Sequence, residues 1–540
     1  MQLMKSIIRK FKTNDKTMYN TDSYKYPFWA ENSGFMTGRD ALGIQNSSIT
    51  TYSRLLPGLT NLTLRLRYYG FYCWLLSIYD LKSKNEKAND LKGHYNFIRR
   101  AELIVAFIMR KLEPHELSII GSNFTSEFES DLDHNGFYDI HLGADKNKNT
   151  IKGSVYWDFD SGALGQYYSG ALTSLNLIET AGQFFIIQPE GKKLAIAFAA
   201  SLTDLQCEKF LQVIDSGKLT ENDIDNLGEF AINNIIPSSA EWKYYKDMLL
   251  KNDGIEILDN TGNPTSLRRE TIALFLNDLQ YKHEDNNERS FIARQYELNL
   301  ESAHNEASFG WYYYYVNEAF HFALETIFWS VLVHLDGKEQ FFDVFIQGMT
   351  KSVVSRSVDK FVVSPDQKVS KVLLNIKECD LIKELHELES KVKSPANNKE
   401  AIVMAFHLIF VLFKINENRI NEILAFETKY KITDQKGRVS ENIKNYVQNN
   451  LEIRFDNYIK ESIQMVLNDH INTAFRKMGN GESNLLKFII EEGIISHIQT
   501  MNPRHTSPRL RTITNFMQDL SMIDKDKNLT ELGQELLQAI

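Results

Sequence analysis

The sequence predicts a mainly helical protein of several domains, and three observations predict it. At 540 residues the chain is too long for one small core, so two to four domains are expected. Only 10 Pro and 27 Gly interrupt it, so the residues that break helices are scarce. Its apolar residues recur over long stretches at helical spacing. With 43% hydrophobic and 24% charged residues, the composition is that of a chain that folds rather than one that stays disordered.

The elements follow in order. Met1 to Lys12 mixes Ile7, Ile8 and Phe11 with Lys5, Arg9, Lys10 and Lys12, which predicts a short amphipathic start and no secretory signal. Leu59, Leu62, Leu66, Tyr69, Trp74 and Leu76 predict a helix opening near Gly58. A second helix is expected from Leu91 to Leu112, with His94 to Arg100 on its polar face, and Thr125 to Gly153 reads as an irregular loop. Helical pattern occupies Ser161 to Lys251, broken near Pro189, Ser216 and Pro237, and Asp253 to Thr265 is the candidate linker. Beyond it, helices are predicted at Ser266–Tyr281, Asn287–Ala303, Phe309–Leu335, Glu339–Val353, Lys371–Val392 and Asn398–Phe426, with Ser355–Ser370 irregular. The last stretch, Ser440 to Ile540, is broken at Gly479–Ser483 and Asn502–Pro508. The expected division is 1–260, 261–440 and 441–540.

Cys73, Cys207 and Cys379 lie far apart with no paired spacing, which predicts a reducing, cytoplasmic setting and neither a zinc site nor a disulfide framework. Trp311 to Leu335 and Ala401 to Ile415 are apolar enough to suggest membrane spans. The first carries Glu318, His321, Glu325 and His334, and the second falls short of the roughly 20 residues a bilayer requires. Both are expected to be buried core helices, with no membrane as partner. A net charge of -9 opposes wholesale affinity for nucleic acid, so any such contact must be a local basic patch.

One internal echo stands out. Leu175, Leu177, Ile178 and Glu179, followed by Ile187, Gln188 and Gly191, align with Leu520, Met522, Ile523 and Asp524, followed by Leu529, Thr530 and Gly533. Each copy reads as a helix ending in an apolar step, a short hairpin, and a Gly opening the next helix. The pattern resembles the winged helix-turn-helix, and the resemblance implies one such unit at 161–202 and another at the C-terminus. Charge separates the copies: Gly165 to Asn176 has no Lys or Arg and is expected to be structural or to face another protein. The C-terminal copy offers Arg504, His505, Arg509, Arg511, Thr512, Asn515, Lys525 and Lys527, donors suited to phosphate and base-edge contacts on double-stranded DNA. The opposing reading of that patch is a merely solvated basic face.

Other motifs carry less. Glu318, His321 and Glu325 stand one turn apart, as in carboxylate-bridged metal bundles, but such sites need a second Glu-x-x-His on a facing helix and none is identified, so a hydrogen-bonded core is expected. The aromatic run Trp311 to Tyr315 is expected to be helix packing rather than a base-stacking platform. There is no phosphate loop, no nucleophile elbow and no zinc motif, so neither cofactor nor metal is expected. Leu42-Gly43-Ile44-Gln45, then Pro57-Gly58, then Arg67-Tyr68-Tyr69-x-Phe71-x-x-Trp74 resembles the N-terminal region of bacterial helical proteins found near phage-defence genes. An Arg among aromatics of this kind is expected to stack or to pair with a buried acid.

The sequence thus predicts a non-enzymatic DNA-contacting or scaffolding subunit of a larger bacterial assembly. The resemblance implies an anti-phage defence setting, and for such a subunit an ATPase or nuclease is the expected kind of partner. The alternatives are an effector nuclease whose acids are dispersed along the chain and a purely protein-binding adaptor.

Overall fold

The structure is a computed structural model that describes residues 40–540 apart from 87–89, 117, 128–135, 148–149, 251–265, 282, 284, 286, 302–304, 362–363, 377–379 and 480–484. The amphipathic start, the candidate linker, Cys379 and most of the break at Gly479–Ser483 lie outside the described residues. The described chain is mainly helical with a few short strands.

In chain order the helices are α1 (Asn46–Leu55), α2 (Arg67–Glu86), α3 (Leu91–Leu112), α4 (Ser122–Glu127), α5 (Ile140–Ala144), α6 (Ser169–Ser174), α7 (Pro189–Ala199), α8 (Asp204–Ser216), α9 (Glu221–Asn226) and α10 (Ala240–Leu250). They continue with α11 (Ser266–Gln280), α12 (Glu288–Glu301), α13 (Glu306–Leu335), α14 (Phe342–Phe361), α15 (Val369–Leu374), α16 (Leu381–Lys391), α17 (Asn398–Asn416), α18 (Ile420–Lys429), α19 (Val439–Tyr446), α20 (Phe455–Gly479), α21 (Leu510–Asp519) and α22 (Glu531–Ala539). The strands are β1 (Tyr138–Asp139), β2 (Ile178–Ala181), β3 (Phe184–Ile187), β4 (Lys218–Leu219), β5 (Glu339–Phe341), β6 (Phe488–Glu491) and β7 (Ile494–His497).

The chain forms two compact units, neither of them consecutive in sequence. One takes the described residues up to Thr51 together with Tyr313–Thr506; the other takes Tyr52–Tyr312 and Ser507–Ile540. We call them the 313–506 unit and the 52–312 unit. The division differs from one at 260 and 440 because the last helices return to the unit that begins at Tyr52. Local composition does not encode such a return.

The 52–312 unit is built around α2. Tyr68, Tyr69, Phe71, Tyr72 and Trp74 are all buried there. Phe71 and Trp74 pack edge-on to Phe210 at 6.1 and 5.6 Å, and Phe210 stacks on Phe230 at 4.2 Å. The helix starts at Arg67, later than Gly58, because Gly58 takes a left-handed φ of 79° and Thr60 accepts from the amides of Leu62 and Thr63, closing a turn. Arg67 is fully buried: its Nε donates to Glu241 at 3.1 Å, and its other nitrogens reach Glu229 O, Ala231 O and the Ser201 hydroxyl. This is the buried-acid pairing expected for an Arg among aromatics.

Two sequence expectations change in this unit. The run His94 to Arg100 is not an outward polar face, since His94 and Arg99 are buried. Arg99 donates to the carbonyls of Ala144, Phe159 and Trp157 at 2.5 to 2.8 Å, fixing a loop that has no regular partner of its own. The stretch read as a loop from Thr125 contains β1, paired antiparallel with β4, and α5.

The echo has a backbone basis. Asn176 and Ser521 stand just past α6 and α21 with φ of 56° and 57°. In the first copy, Leu177 N–H donates to Leu172 O at 2.9 Å and Asn176 N–H to Thr173 O at 3.0 Å. In the second, Met522 N–H donates to Met517 O at 2.8 Å and Ser521 N–H to Gln518 O at 2.9 Å. These paired bonds are the Schellman closure of a helix, and the apolar step is its C-terminal hydrophobic contact. Ile178 then pairs with Ile187 within a four-residue ladder, and Ile523 pairs with Leu529 as a single bridge. Gln188 N–H donates to Leu177 O, and Thr530 N–H to Met522 O. Gly191 and Gly533, each third in its helix, lie against that same carbonyl, where a Cβ would not fit.

In the 313–506 unit, the part of α13 from Tyr313 on is buried nearly throughout, as is α17, so both apolar stretches are core helices. Among the described residues no helix is long and apolar enough to cross a membrane. Residues 339–341, expected to open a helix, instead form β5, which pairs with β7 in the antiparallel order β5-β7-β6. The helix expected from Asn398 to Phe426 is divided into α17 and α18 by a turn at Glu417–Arg419. Helix α14 runs to Phe361, into the stretch expected to be irregular; Val362 and Val363 lie outside the described residues.

Candidate functional sites

The nucleic-acid candidates divide between the two units. Arg504 and His505 belong to the 313–506 unit, whereas Arg509, Arg511, Thr512, Asn515, Lys525 and Lys527 belong to the 52–312 unit. Thr512 is fully buried, its hydroxyl donating to Thr60 O at 2.8 Å, and Asn515 Nδ2 donates to Leu64 O at 3.2 Å. Asp519 at the end of α21 accepts from Leu66 N–H at 2.9 Å and pairs with Arg65 at 2.9 Å. One edge of α21 is therefore docked on the loop that precedes α2. Arg509 caps α21 in a left-handed conformation, φ 66°, with its guanidinium 4.8 Å from the Tyr52 ring centre. Burial pulls its pKa below the ordinary value, countered by the fields of Tyr52 and Tyr69.

Arg511 and Lys525 are exposed. They line a depression of about 700 Å³ with Arg65, facing Glu113, Glu116, Asp519 and Asp524. Three cations against four carboxylates is not a basic surface, and Arg65 is itself paired with both Glu116 and Asp519. A polyanion approaching here meets no excess of positive charge.

A second site lies in the 313–506 unit, where the Glu318, His321 and Glu325 face of α13 is fully buried. His321 Nε2 faces Gly437 O at 3.0 Å, and its Nδ1 faces Glu318 at 3.5 Å and the Ser48 hydroxyl at 3.3 Å. Glu318 also lies 3.6 Å from His505 Nδ1 and accepts from Thr506 N–H at 2.7 Å. His505 continues the chain to Glu389 at 2.9 Å and stacks on Phe322 at 4.5 Å. Burial works to raise the Glu318 pKa, but hydrogen bonds and charge from His321 and His505 outweigh it and hold the carboxyl well below its ordinary range. His321 is raised: burial acts to lower it, and the Glu318 partner overrides that.

Glu325, one turn further, behaves in the opposite way. It accepts from Arg504 N–H at 2.8 Å and from Gln45 Nε2 at 3.0 Å, and no cation is bonded to it among the described residues. Burial, reinforced by the charge of Asp40, pushes its pKa up to about 7. It lines a cleft of about 640 Å³ with Asp40, His470, Lys477, Lys487 and Arg504. His470 receives Lys487 N–H at Nε2 (3.0 Å), so its Nδ1 carries the hydrogen donated to Ala41 O at 2.9 Å. Burial lowers it to about 4, and it stays neutral.

Glu318 and His321 form the buried core that their spacing suggested, but not a fully hydrogen-bonded one: Glu318 Oε1 has the 3.5 Å approach of His321 Nδ1 and no hydrogen-bond partner among the described residues. Sequence reasoning missed the cleft, whose walls come from Asp40, α13, α20 and residues 485–505. The sequence signal was the acid Glu325 within a largely apolar stretch of α13. Among the described residues no group of three or more His, Cys, Asp or Glu is arranged to hold a metal ion. Comparison of the chain with protein families, with curated proteins and with solved structures gives no match.

Proposed function

We propose that the chain is a non-enzymatic scaffolding subunit of a larger bacterial assembly, of the kind whose genes stand near phage-defence genes, with its two winged-helix-like units serving as structural modules. The observation that supports this reading is the inward engagement of α21. Thr512, Asn515 and Arg509, the groups a recognition helix would offer to bases and phosphates, are used on Thr60 O, Leu64 O and the Tyr52 ring. Winged-helix-like modules serve protein contacts as well as DNA, so fold alone does not decide between them.

The experiment is co-expression with the products of adjacent genes, an ATPase or nuclease being the expected partner. A stoichiometric complex on size exclusion is the expected result, and failure to form one with any of them refutes the scaffold. In parallel, a double-stranded DNA mobility shift at physiological salt is compared with the Arg511→Glu, Lys525→Glu double variant. A shift that this variant abolishes would replace scaffolding by DNA contact.

One observation favours a second reading, an effector enzyme. Glu325 is a carboxyl with a pKa near neutrality lining a cleft, which is how a general acid or base is prepared. Nuclease activity of the purified chain with Mg²⁺ or Mn²⁺ that is lost in Glu325→Gln would carry that reading; no activity, or activity indifferent to Glu325, excludes it.

A further inference from the structure

The antiparallel sheet β5-β7-β6 of the 313–506 unit has one face packed and one open. Its inner face carries Phe488 and Ile495, both buried, with the His470 ring 5.6 Å and the Phe328 ring 6.3 Å from that of Phe488. Side chains alternate along a strand, and directly opposed residues share a face. The pairs Phe341–Ile494, Glu491–Ile494, Glu339–Ser496 and Ile489–Ser496 therefore lie together on the outer face. Phe341 is 63% exposed there and Ile494 36%, and Val344, in the first turn of α14, is 58% exposed. An apolar cross-strand pair left in water is the part of a sheet that a further element covers.

Charge narrows the kind of element. Residues 336–344 and 487–498 carry Asp336, Glu339, Asp343, Glu491 and Glu492 against Lys338 and Lys487. Asp336 lies 3.2 Å from His497 Nδ1, and the two ammonium groups donate to His334 O and Gln499 Oε1. Glu339, Asp343, Glu491 and Glu492 are exposed and make no ion pair among the described residues. An element that is apolar on one side and basic along its flanks complements such a face.

The start of the chain has that pattern. At helical spacing Met4, Ile7, Ile8 and Phe11 form one stripe, with Lys5 and Lys12 along one side of it and Lys10 along the other. Met1–Lys12 lies outside the described residues, but the point at which the described chain begins is fixed. Asp40 O accepts from Lys477 Nζ at 2.7 Å and Ala41 O from His470 Nδ1 at 2.9 Å. His470 Nε2 in turn accepts from the N–H of Lys487, the residue before β6, at 3.0 Å. Asp40 thus stands beside the start of β6. Residues 13–39 reach roughly 90 Å when fully extended, several times the length of a four-residue strand, so distance is no obstacle.

We propose that Met1–Lys12 docks as an amphipathic helix on the outer face of this sheet, Ile7, Ile8 and Phe11 covering Phe341 and Ile494 while the flanking lysines face Glu339 and Glu491. Apolar contact supplies the attraction, and the charges set the placement, the long lysine stems reaching outward from the stripe. Tethering makes a modest intrinsic affinity sufficient, since a linked segment acts at an effective concentration on the order of mM.

The test uses the full chain with the photo-cross-linker p-benzoylphenylalanine in place of Phe341, irradiated and mapped by mass spectrometry after Glu-C digestion. The expected result is a cross-link to residues 1–12 within the monomer. Ile8→Asp with Phe11→Asp should lower its yield at least about fivefold, as loss of two buried apolar side chains requires, with the circular dichroism spectrum unchanged. Glu339→Lys with Glu491→Lys should lower it too. Cross-links found only in a dimer would assign the face to a second copy of the chain. Sedimentation with phosphatidylglycerol vesicles that depends on Ile8 and Phe11, without any cross-link, would assign the segment to a membrane surface. Either outcome overturns the proposal, as does no cross-link to residues 1–12 or one indifferent to Ile8 and Phe11.

Discussion

Substituting Gly191 by Ala sets two well-characterised effects against each other. By intrinsic helix propensity alone the change should stabilise, because Ala is favoured over Gly in a helix by about 1 kcal/mol. The structure predicts the reverse. A Cβ on Gly191 would stand 3.0 Å from the Leu177 carbonyl carbon and 3.0 Å from Ile187 Cγ1, and closer still to the Leu177 carbonyl oxygen. That oxygen is held by Gln188 N–H, and Leu177 is itself tied to Leu172 O by the helix closure, so the obstacle is backbone that cannot rotate away. Overpacking against such a wall costs about 1–3 kcal/mol, with the upper end appropriate here. The net expectation is a loss of about 2 kcal/mol, combining the propensity and overpacking terms. Gly533→Ala should behave alike, since its Cβ would meet the Met522 carbonyl in the same way. Gly348, exposed on α14 with open space around the missing Cβ, is the control: Gly348→Ala should stabilise by up to about 1 kcal/mol. The assay is urea unfolding followed by circular dichroism, with amide exchange of α7 and α22 reporting the local effect. Should Gly191→Ala and Gly533→Ala match Gly348→Ala in sign, the steric argument and the structural equivalence of the two modules are both wrong.

Three further outcomes are expected. Arg67→Met leaves Glu241 buried without its cation and should cost about 3–5 kcal/mol, read as a drop in unfolding midpoint; adding Glu241→Gln should recover part of it. The folded-state pKa of Glu325 lies above its ordinary value of 4.5, at about 7, so between these pH values the folded chain retains a proton that the unfolded chain releases. Stability from this group should therefore be complete below about pH 4.5 and fall by about 3 kcal/mol as pH rises through 7. Asp40 and His321 face the same carboxyl, so the contribution is isolated as the wild type minus Glu325→Gln difference; a pH-independent difference would refute it. Ser521→Gly relieves a left-handed non-glycine residue, φ 57°, and should stabilise by up to about 1 kcal/mol in thermal unfolding, whereas a loss would mean that Ser521 is not strained.

The echo between Leu175–Gly191 and Leu520–Gly533 marks how far local sequence reaches. Its apolar step, Leu175 to Ile178 and Leu520 to Ile523, and its glycine were legible because helix closure and the glycine junction are satisfied within about twenty residues. What α21 does with its polar edge was not legible. Thr512 and Asn515 find their acceptors at Thr60 and Leu64, far away along the chain.

The sequence by itself determined the helical class, the positions of α3, α11 and α13 to within a few residues, and the burial of the two apolar helices, because periodicity and burial are written in consecutive residues. Only the tertiary structure decided that Arg99 turns inward, that the C-terminal helices rejoin the unit begun at Tyr52, and that Glu325 shares a cleft with Lys477, Lys487 and Arg504. Each of those depends on pairing between segments far apart in the chain, and the free energy that selects such a pairing belongs to neither segment alone.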